Sequence, residues 1–422
     1  MTSRIHDPYA ALRHRDMRLY MVSRAASSLG ESMLAVALGW QVYQITNSVL
    51  SLGMISMAQA IPSLGLALFA GHAADRADRR TILLVTQLVA LVTALALAGA
   101  AASPHPAVWP IYAVLFVRGV NGAFAGPTTA AILPQLVPPE RFSNAVTWRT
   151  TLTQLTGLVG PVAGGLLLRW WGSAASVYEA AAALSLVAAV ALTYLKPQPA
   201  EPAPNSESML RSLREGVRYV FGKPQILGPI ALDLFAVLFG GATALFPVYA
   251  RDILKVGPQG LGMLRAAPSV GAMATALILL HRPPIERSGR AMLVCVAGFG
   301  VCMIGFGVSR SYLVSLLLLA LSGAADNVSV VIRHTVVQAL TPNRMRGRVS
   351  AVNSIFIGAS NQIGGFESGV AAYAMGTVPS VVFGGAMTIL VVIGAAAMWP
   401  QLRALGRLDR VGVPQPEEQV PS

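Results

Sequence analysis

From residue 17 onward, long apolar runs alternate with short polar clusters. Twelve runs stand out, at 17–43, 49–72, 81–102, 107–131, 145–168, 174–196, 225–250, 258–280, 290–308, 312–336, 350–374 and 378–400. Most exceed the roughly 20 residues a helix needs to cross the hydrocarbon of a bilayer; the ninth is barely long enough. They predict membrane-spanning helices. The first dense charge cluster, Gly71-His-Ala-Ala-Asp75-Arg76-Ala-Asp78-Arg79-Arg80, lies between two such runs and predicts a tight loop at a membrane surface. Between the sixth and seventh runs, Pro197-Gln-Pro-Ala-Glu-Pro-Ala-Pro204 reads as a Pro-rich linker. The stretch from Leu210 to Tyr219 follows it as a short amphipathic surface helix.

The fold class that follows is an all-α integral membrane protein, with twelve transmembrane helices in two six-helix bundles. The expected division is an N-terminal bundle at 1–196, a cytoplasmic linker at 197–223, a C-terminal bundle at 224–402 and a cytoplasmic tail at 403–422.

Composition agrees. The 422 residues are 54% hydrophobic and 12% charged, with mean hydropathy +0.60, whereas soluble domains carry about 25% charge. A net charge of +13 would suggest a nucleic-acid partner in a soluble protein. Here Arg-rich cytoplasmic loops account for it, and no nucleic-acid partner is expected. With both termini in the cytoplasm, most of the 31 Lys and Arg residues fall on the inner side. Arg169, Arg251, Lys255 and Arg310 fall outside, and Arg24, Arg118 and Arg265 lie within runs. This asymmetry sets the orientation.

The N-terminus is polar and basic without a cleavable signal pattern. Cys295 and Cys302 share one run, about 10 Å apart along a helix, and cannot bridge each other. There is no Walker phosphate loop, nucleotide fingerprint, Ser/His/Asp order or metal-spaced His/Cys set. The chain therefore reads as neither an enzyme nor an ATP-driven pump, with no cofactor or metal.

The halves repeat each other. Gln135-Leu-Val-Pro-Pro139-Glu-Arg141 recurs as Gln338-Ala-Leu-Thr-Pro342-Asn-Arg344, and Asp75-Arg76-Ala-Asp-Arg79 has a worn copy in Glu286-Arg287-Ser-Gly-Arg290. Both pairs fall on equivalent loops. Six-span repeats mark transporter architecture, with the substrate site between the halves near the midplane.

Several of these residues carry a family likeness. Gly71-x-x-x-Asp75-Arg76-x-x-Arg79-Arg80 resembles the loop 2–3 signature of the major facilitator superfamily. Arg118-Gly-Val-Asn121-Gly122 resembles its span-four motif, and Gly160-Pro161-Val-Ala-Gly164-Gly165 resembles the core of its antiporter motif. That motif has a glycine four residues before the Gly-Pro pair, where this chain has Thr156. Leu136-Val-Pro-Pro-Glu-Arg141 and Thr341-Pro-Asn-Arg344-Met-Arg346-Gly-Arg348-Val349 are similar to the branch of enterobactin exporters and macrolide efflux proteins.

The resemblance implies a gate latch at Gly71, Asp75, Arg76, Arg79 and Arg80, with Arg344, Arg346 and Arg348 on the loop between the tenth and eleventh runs. It implies a bending point at Gly160, Pro161, Gly164 and Gly165, and a proton-coupling role for Arg118. The bland alternatives are a solvated positive-inside loop, ordinary membrane packing, and a structural ion pair.

Four acids lie well inside spans: Glu31, Asp233, Asp326 and Glu367. Intramembrane ionisable groups are functional candidates by default. Glu31 and Arg24 share one helix face. The resemblance implies that spans one, seven and ten line the cavity, which favours Glu31, Asp233 and Asp326 as coupling or cavity acids, with Arg24 and Asn121 also candidate cavity residues. Each acid has an alternative as a buried structural pair with Arg24, Arg118, Arg333 or His334. Trp40, Gln41, Tyr43 and Gln44 read as an interfacial aromatic belt.

The expected function is export of a small amphipathic molecule, such as a siderophore or macrolide, by proton antiport with alternating access. The expected setting is a bacterial inner membrane, and the expected state a monomer. The alternatives are a lysophospholipid flippase of the same fold and a transport-inactive membrane receptor or scaffold.

Overall fold

In hydrocarbon every backbone N–H and C=O must be satisfied internally, so an apolar run that crosses a bilayer folds as a helix. The computed structural model describes residues 7–198, 209–283 and 285–406; the side chains of Leu68, Asp75, Asn343, Arg344 and residues 209–212 lie outside that description. All twelve expected runs are helical within it. Spans one to six are Arg15–Thr46, Val49–Gly65 continued by Ala67–Arg76, Arg79–Ala102, Val108–Leu136, Phe142–Trp171 and Ala174–Thr193. Span seven begins as Pro224–Gly240. Spans eight to twelve are Gly257–His281, Ser288–Val308, Tyr312–Leu340, Asn343–Met375 and Thr377–Met398. The linker helix, Met209–Phe221, precedes span seven.

Among the described residues, nine spans are long and apolar enough to cross a membrane by length and composition alone. The other three are informative. Span one carries Arg18, Arg24 and Glu31, and span eleven carries Arg346, Arg348 and Glu367. Span two is broken at Leu66, one turn past Pro62. Proline cannot donate to the preceding turn, which weakens the helix there. All three contribute to the wall of the central cavity.

Span seven breaks differently. At Gly241 the backbone leaves the helix (φ −81°, ψ 73°). It continues through a 3-10 turn, Ala242–Leu245, a short helix, Phe246–Val248, and a π turn, Tyr249–Ile253. The freed Gly241 carbonyl accepts from the Ser368 hydroxyl at 3.2 Å. Irregular backbone at membrane depth is tolerated where protein or a cavity satisfies it.

The halves meet along two seams. Spans two and eleven touch at Gly53 and Gly369, where a Cβ on Gly53 would stand 3.1 Å from the Gly369 Cα. Spans five and eight touch at Gly165 and Gly262, with the same 3.1 Å clearance. Small residues allow such close backbone crossings. Span eight corresponds to span two six helices on, and span eleven to span five, so the seams are related by the repeat.

Packing differs between the two ends. At the end remote from the linker, one buried apolar cluster takes residues from both halves, including Val36 and Leu52 with Phe246 and Leu264. At the linker end the clusters are separate. One, with Met17, Leu83, Ile132 and Leu192, belongs to the first half. The others, around Leu232, Met292 and Val336 and around Val220, Ile226 and Val349, belong to the second half and linker helix. The halves are thus sealed together at one end and packed independently at the other.

Candidate substrate cavity

A cavity of about 370 Å³ lies between the halves, within the usual range for small-molecule sites. Glu31 of span one, Gln59 of span two, Arg118 and Asn121 of span four, Arg265 of span eight and Asn361 of span eleven line it. Thr243 and Ala244, in the irregular turn of span seven, complete that side. At 1.5 Å per residue, Arg265 and Arg118 sit about 12 and 15 Å from the sealed ends of their helices, and Glu31 about 22 Å. Arg118 and Arg265 therefore lie near the middle of a membrane about 30 Å thick, with Glu31 deeper toward the open end.

Local bonding sets their positions. The Arg118 guanidinium donates to the Thr93 hydroxyl of span three at 3.1 Å. One turn on, the Asn121 amide donates to the Thr86 carbonyl at 3.1 Å. Span three thus braces one face of span four while the same side chains reach the cavity. Glu31 lies across the space, within electrostatic reach of Arg118.

The structure brings Glu31, Arg118 and Asn121 together and separates them from the other candidates. Asp233 is buried, 7% exposed, and forms an ion pair with Arg333 of span ten. Arg24 and Asp326 are half-buried and are not part of the cavity wall. The Asp233–Arg333 pair matches the structural alternative expected for Asp233; helix position alone does not fix which way a side chain turns. Trp40, Gln41 and Tyr43 also depart from the expected interfacial belt. They are buried inside the protein, where Gln41 accepts a 2.6 Å hydrogen bond from Tyr178.

The comparisons with known proteins bear on this arrangement. The sequence profile of the family described as transmembrane secretion effector matches residues 6–420. The chain belongs to this family, a branch of the major facilitator superfamily. It is 27% identical over 340 residues to the enterobactin exporter EntS of Escherichia coli O1:K1 / APEC, covering 80% of this chain and 81% of that one. The EntS of Shigella boydii serotype 18 gives the same figures. Among solved structures, a POT peptide transporter superposes with TM-score 0.75 at 11% identity, over 93% of this chain and 96% of that one. A bacterial homologue of the human lysosomal transporter Spinster, captured inward-facing and occupied, superposes with TM-score 0.70 at 15% identity, over 94% and 99%. At these identities the superpositions establish the fold alone. The chain is a multi-pass membrane transporter and not an enzyme.

The superfamily's loop 2–3 signature does specific work here. Arg80 donates from Nε to the Leu192 carbonyl at 2.9 Å and from a terminal nitrogen to the Thr193 carbonyl at 2.6 Å, capping the end of span six. Asp78, which sequence reasoning passed over, caps span three and accepts from the Gln198 N–H at 2.7 Å. Burial works to raise the Asp78 pKa. Hydrogen bonds from the Thr81 hydroxyl and from the Gln198, Arg80 and Thr81 N–H groups outweigh it and hold the carboxyl below the usual range. Gly71 is buried, Arg76 is exposed, and Arg79 reaches the Ala74 carbonyl at 3.5 Å. The Asp75 side chain is outside the described residues.

The repeat does the same job with other chemistry. Ser288, at the start of span nine, donates through its hydroxyl and N–H to the Gly406 carbonyl beyond span twelve, at 2.7 and 3.3 Å. In both halves, therefore, the third helix is tied to the segment past the sixth. On the later loop Arg348 pairs with Glu215 of the linker helix, Arg346 donates to the Thr341 carbonyl at 3.3 Å, and the Arg344 side chain is outside the described residues.

The antiporter-like motif of span five packs on both sides. Gly160 and Gly164 lie against Ser32 and Met33 of span one. Pro161 and Gly165 face span eight across the seam, with Gly262 against the Pro161 carbonyl. Arg265 is the cavity residue that sequence reasoning left unassigned. Its signal was an arginine deep in an apolar run without an acid on the same helix.

Proposed function

We propose that this chain is a secondary exporter of siderophore-class small molecules, exchanging substrate for protons by alternating access. The observation that carries the reading is the polar cavity of Glu31, Arg118 and Asn121 at the junction of the halves, closed at one end, in a chain related to enterobactin exporters. The proposed setting is the bacterial inner membrane, with both termini, the linker at 197–223 and the tail at 403–422 cytoplasmic. The carrier works as a monomer without nucleic acid. In this orientation the structure faces the cytoplasm.

Substrate enters with Glu31 ionised, and the halves at 1–196 and 224–402 rock about the seams. After release, Glu31 takes a proton from the outer side and the empty carrier returns. A carboxyl answers this demand because its proton affinity depends on how dry its surroundings are. Arg118 holds the ionised form. The loop 2–3 cluster and its repeat latch the cytoplasmic end, and the glycines of span five let the seam reseal.

Efflux of enterobactin from liposomes carrying the purified protein, with the outside acidic, tests this. Flux that depends on the pH gradient supports it. Movement of nothing across the membrane would leave a receptor or scaffold, and movement of lysophospholipid alone would leave a flippase.

A further inference from the structure

The cavity holds two guanidinium groups, Arg118 and Arg265, and a single carboxylate, Glu31. Arg118 has company: the Thr93 hydroxyl and the charge of Glu31. Arg265 has none. Its Nε is buried with no hydrogen-bond partner, and it forms no ion pair among the described residues. The Arg265 side chain reaches span one, where a Cβ on Gly39 would stand 3.4 Å from one of its terminal nitrogens.

An unpaired charge taken out of water costs several kcal/mol even after relaxation. A positive group at membrane depth is ordinarily neutralised by a neighbouring acid or turned toward the interface. Arg265 does neither. Guanidinium is planar and forked, suited to two oxygens of an anionic group at once.

We infer that Arg265 is the binding site for an anionic oxygen group of the transported molecule: a carboxylate, a phosphate or an ionised catechol. The inference rests on the export reading above and narrows its substrate class to acids. Loading a monoanion makes the charge of the three ionised cavity groups plus ligand zero, so the loaded site changes access as a near-neutral cavity. Exchange of that monoanion for one proton carries two positive charges inward per turnover. Membrane potential and pH gradient therefore both drive export. Asn361 and Gln59, on the facing helices, offer amides to the uncharged parts of the ligand.

The test uses a matched pair that differs in charge. Salicylate and salicylamide are bound to the full-length protein in detergent and read by thermal stabilisation, with erythromycin as a cationic third ligand. The acid is expected to bind the wild-type protein about tenfold more tightly than the amide. Arg265→Gln should abolish that preference and Arg265→Lys retain part of it, while Arg118→Gln leaves a preference for the acid. Equal binding of acid and amide, no binding of the acid, or tighter binding of the cation overturns the inference, and the wild-type comparison decides this even where Arg265→Gln fails to fold. Liposome flux separates the two readings. Export of neutral or cationic compounds with no acid preference sinks the anion site and leaves export standing, whereas no flux of any compound sinks export itself.

Discussion

The Tyr43 hydroxyl donates to the Asp252 carboxylate, joining span one to the end of span seven across the two halves. Arg251 strengthens the tie. It donates to the Tyr43 carbonyl at 3.3 Å, and its guanidinium carbon lies 5.1 Å from the Tyr43 ring centroid. A second cross-half contact, Arg169 with Gln259, lies at the same end. These bonds form where the halves share one apolar cluster. A contact made in only one conformation biases a two-state equilibrium.

Tyr43→Phe removes a hydrogen bond to a charged acceptor, worth about 1.5–3 kcal/mol. The outward-open population is expected to rise about tenfold or more. A Ser56→Cys reporter on the cavity wall, in a background lacking Cys295 and Cys302, should then label correspondingly faster with an impermeant thiol reagent added outside. Unchanged labelling would mean that the pair does not hold the outer end.

The buried Asp233–Arg333 pair is expected to serve stability. Asp233→Ala strands a buried guanidinium and should cost about 3–5 kcal/mol, with a matching drop in thermal stability in detergent. The apolar double variant Asp233→Leu with Arg333→Met should recover much of that loss. A double variant as unstable as the single one would show that the pair contributes more than mutual neutralisation.

Asp78 gives a pH dependence of known sign. Its folded pKa lies below the ordinary value. Its contribution is therefore complete above the unfolded carboxylate pKa of about 3.9 and is lost as pH falls through the lower folded value. Asp78→Ala should destabilise by about 1 kcal/mol at neutral pH, as loss of a helix cap does. The gap in unfolding temperature to wild type should persist at pH 5 and narrow below about pH 4. A gap that widens on acidification would contradict the capping assignment.

At the span five–eight seam, a Cβ on Gly165 would stand 2.6 Å from the Pro258 carbonyl oxygen. Gly165→Val is expected to prevent full closure of that end and to slow transport about tenfold, given about 1–3 kcal/mol for overpacking. Gly126→Ala, where nothing lies within 4 Å, should transport like wild type. Equal rates for both would remove the seam from the conformational cycle.

The helices and their number were legible because apolar run length and charge asymmetry are local properties of the chain. The convergence of Glu31, Arg118 and Asn121 was half legible: depth in a span marks an ionisable group as unusual, but its facing depends on helix rotation. Rotation turned Asp233 toward Arg333. Arg265 was left unassigned, and Tyr43 was read as part of an interfacial belt, because their meaning lies in contacts across the halves, more than two hundred residues apart for Tyr43 and Asp252. The break at Gly241 escaped for a related reason. Glycine is frequent in membrane helices, and the carbonyl freed at this break is satisfied by the distant Ser368 hydroxyl.

Proton movement per substrate tests the central claim most directly. Liposomes containing the purified protein are loaded with enterobactin and the pH dye pyranine, and efflux and lumen pH are followed together. The expected result is acidification of the lumen in step with efflux, lost in Glu31→Gln while the protein remains folded and still binds substrate. Efflux with no change in lumen pH, or coupled flux unaltered by Glu31→Gln, would contradict proton exchange through this cavity.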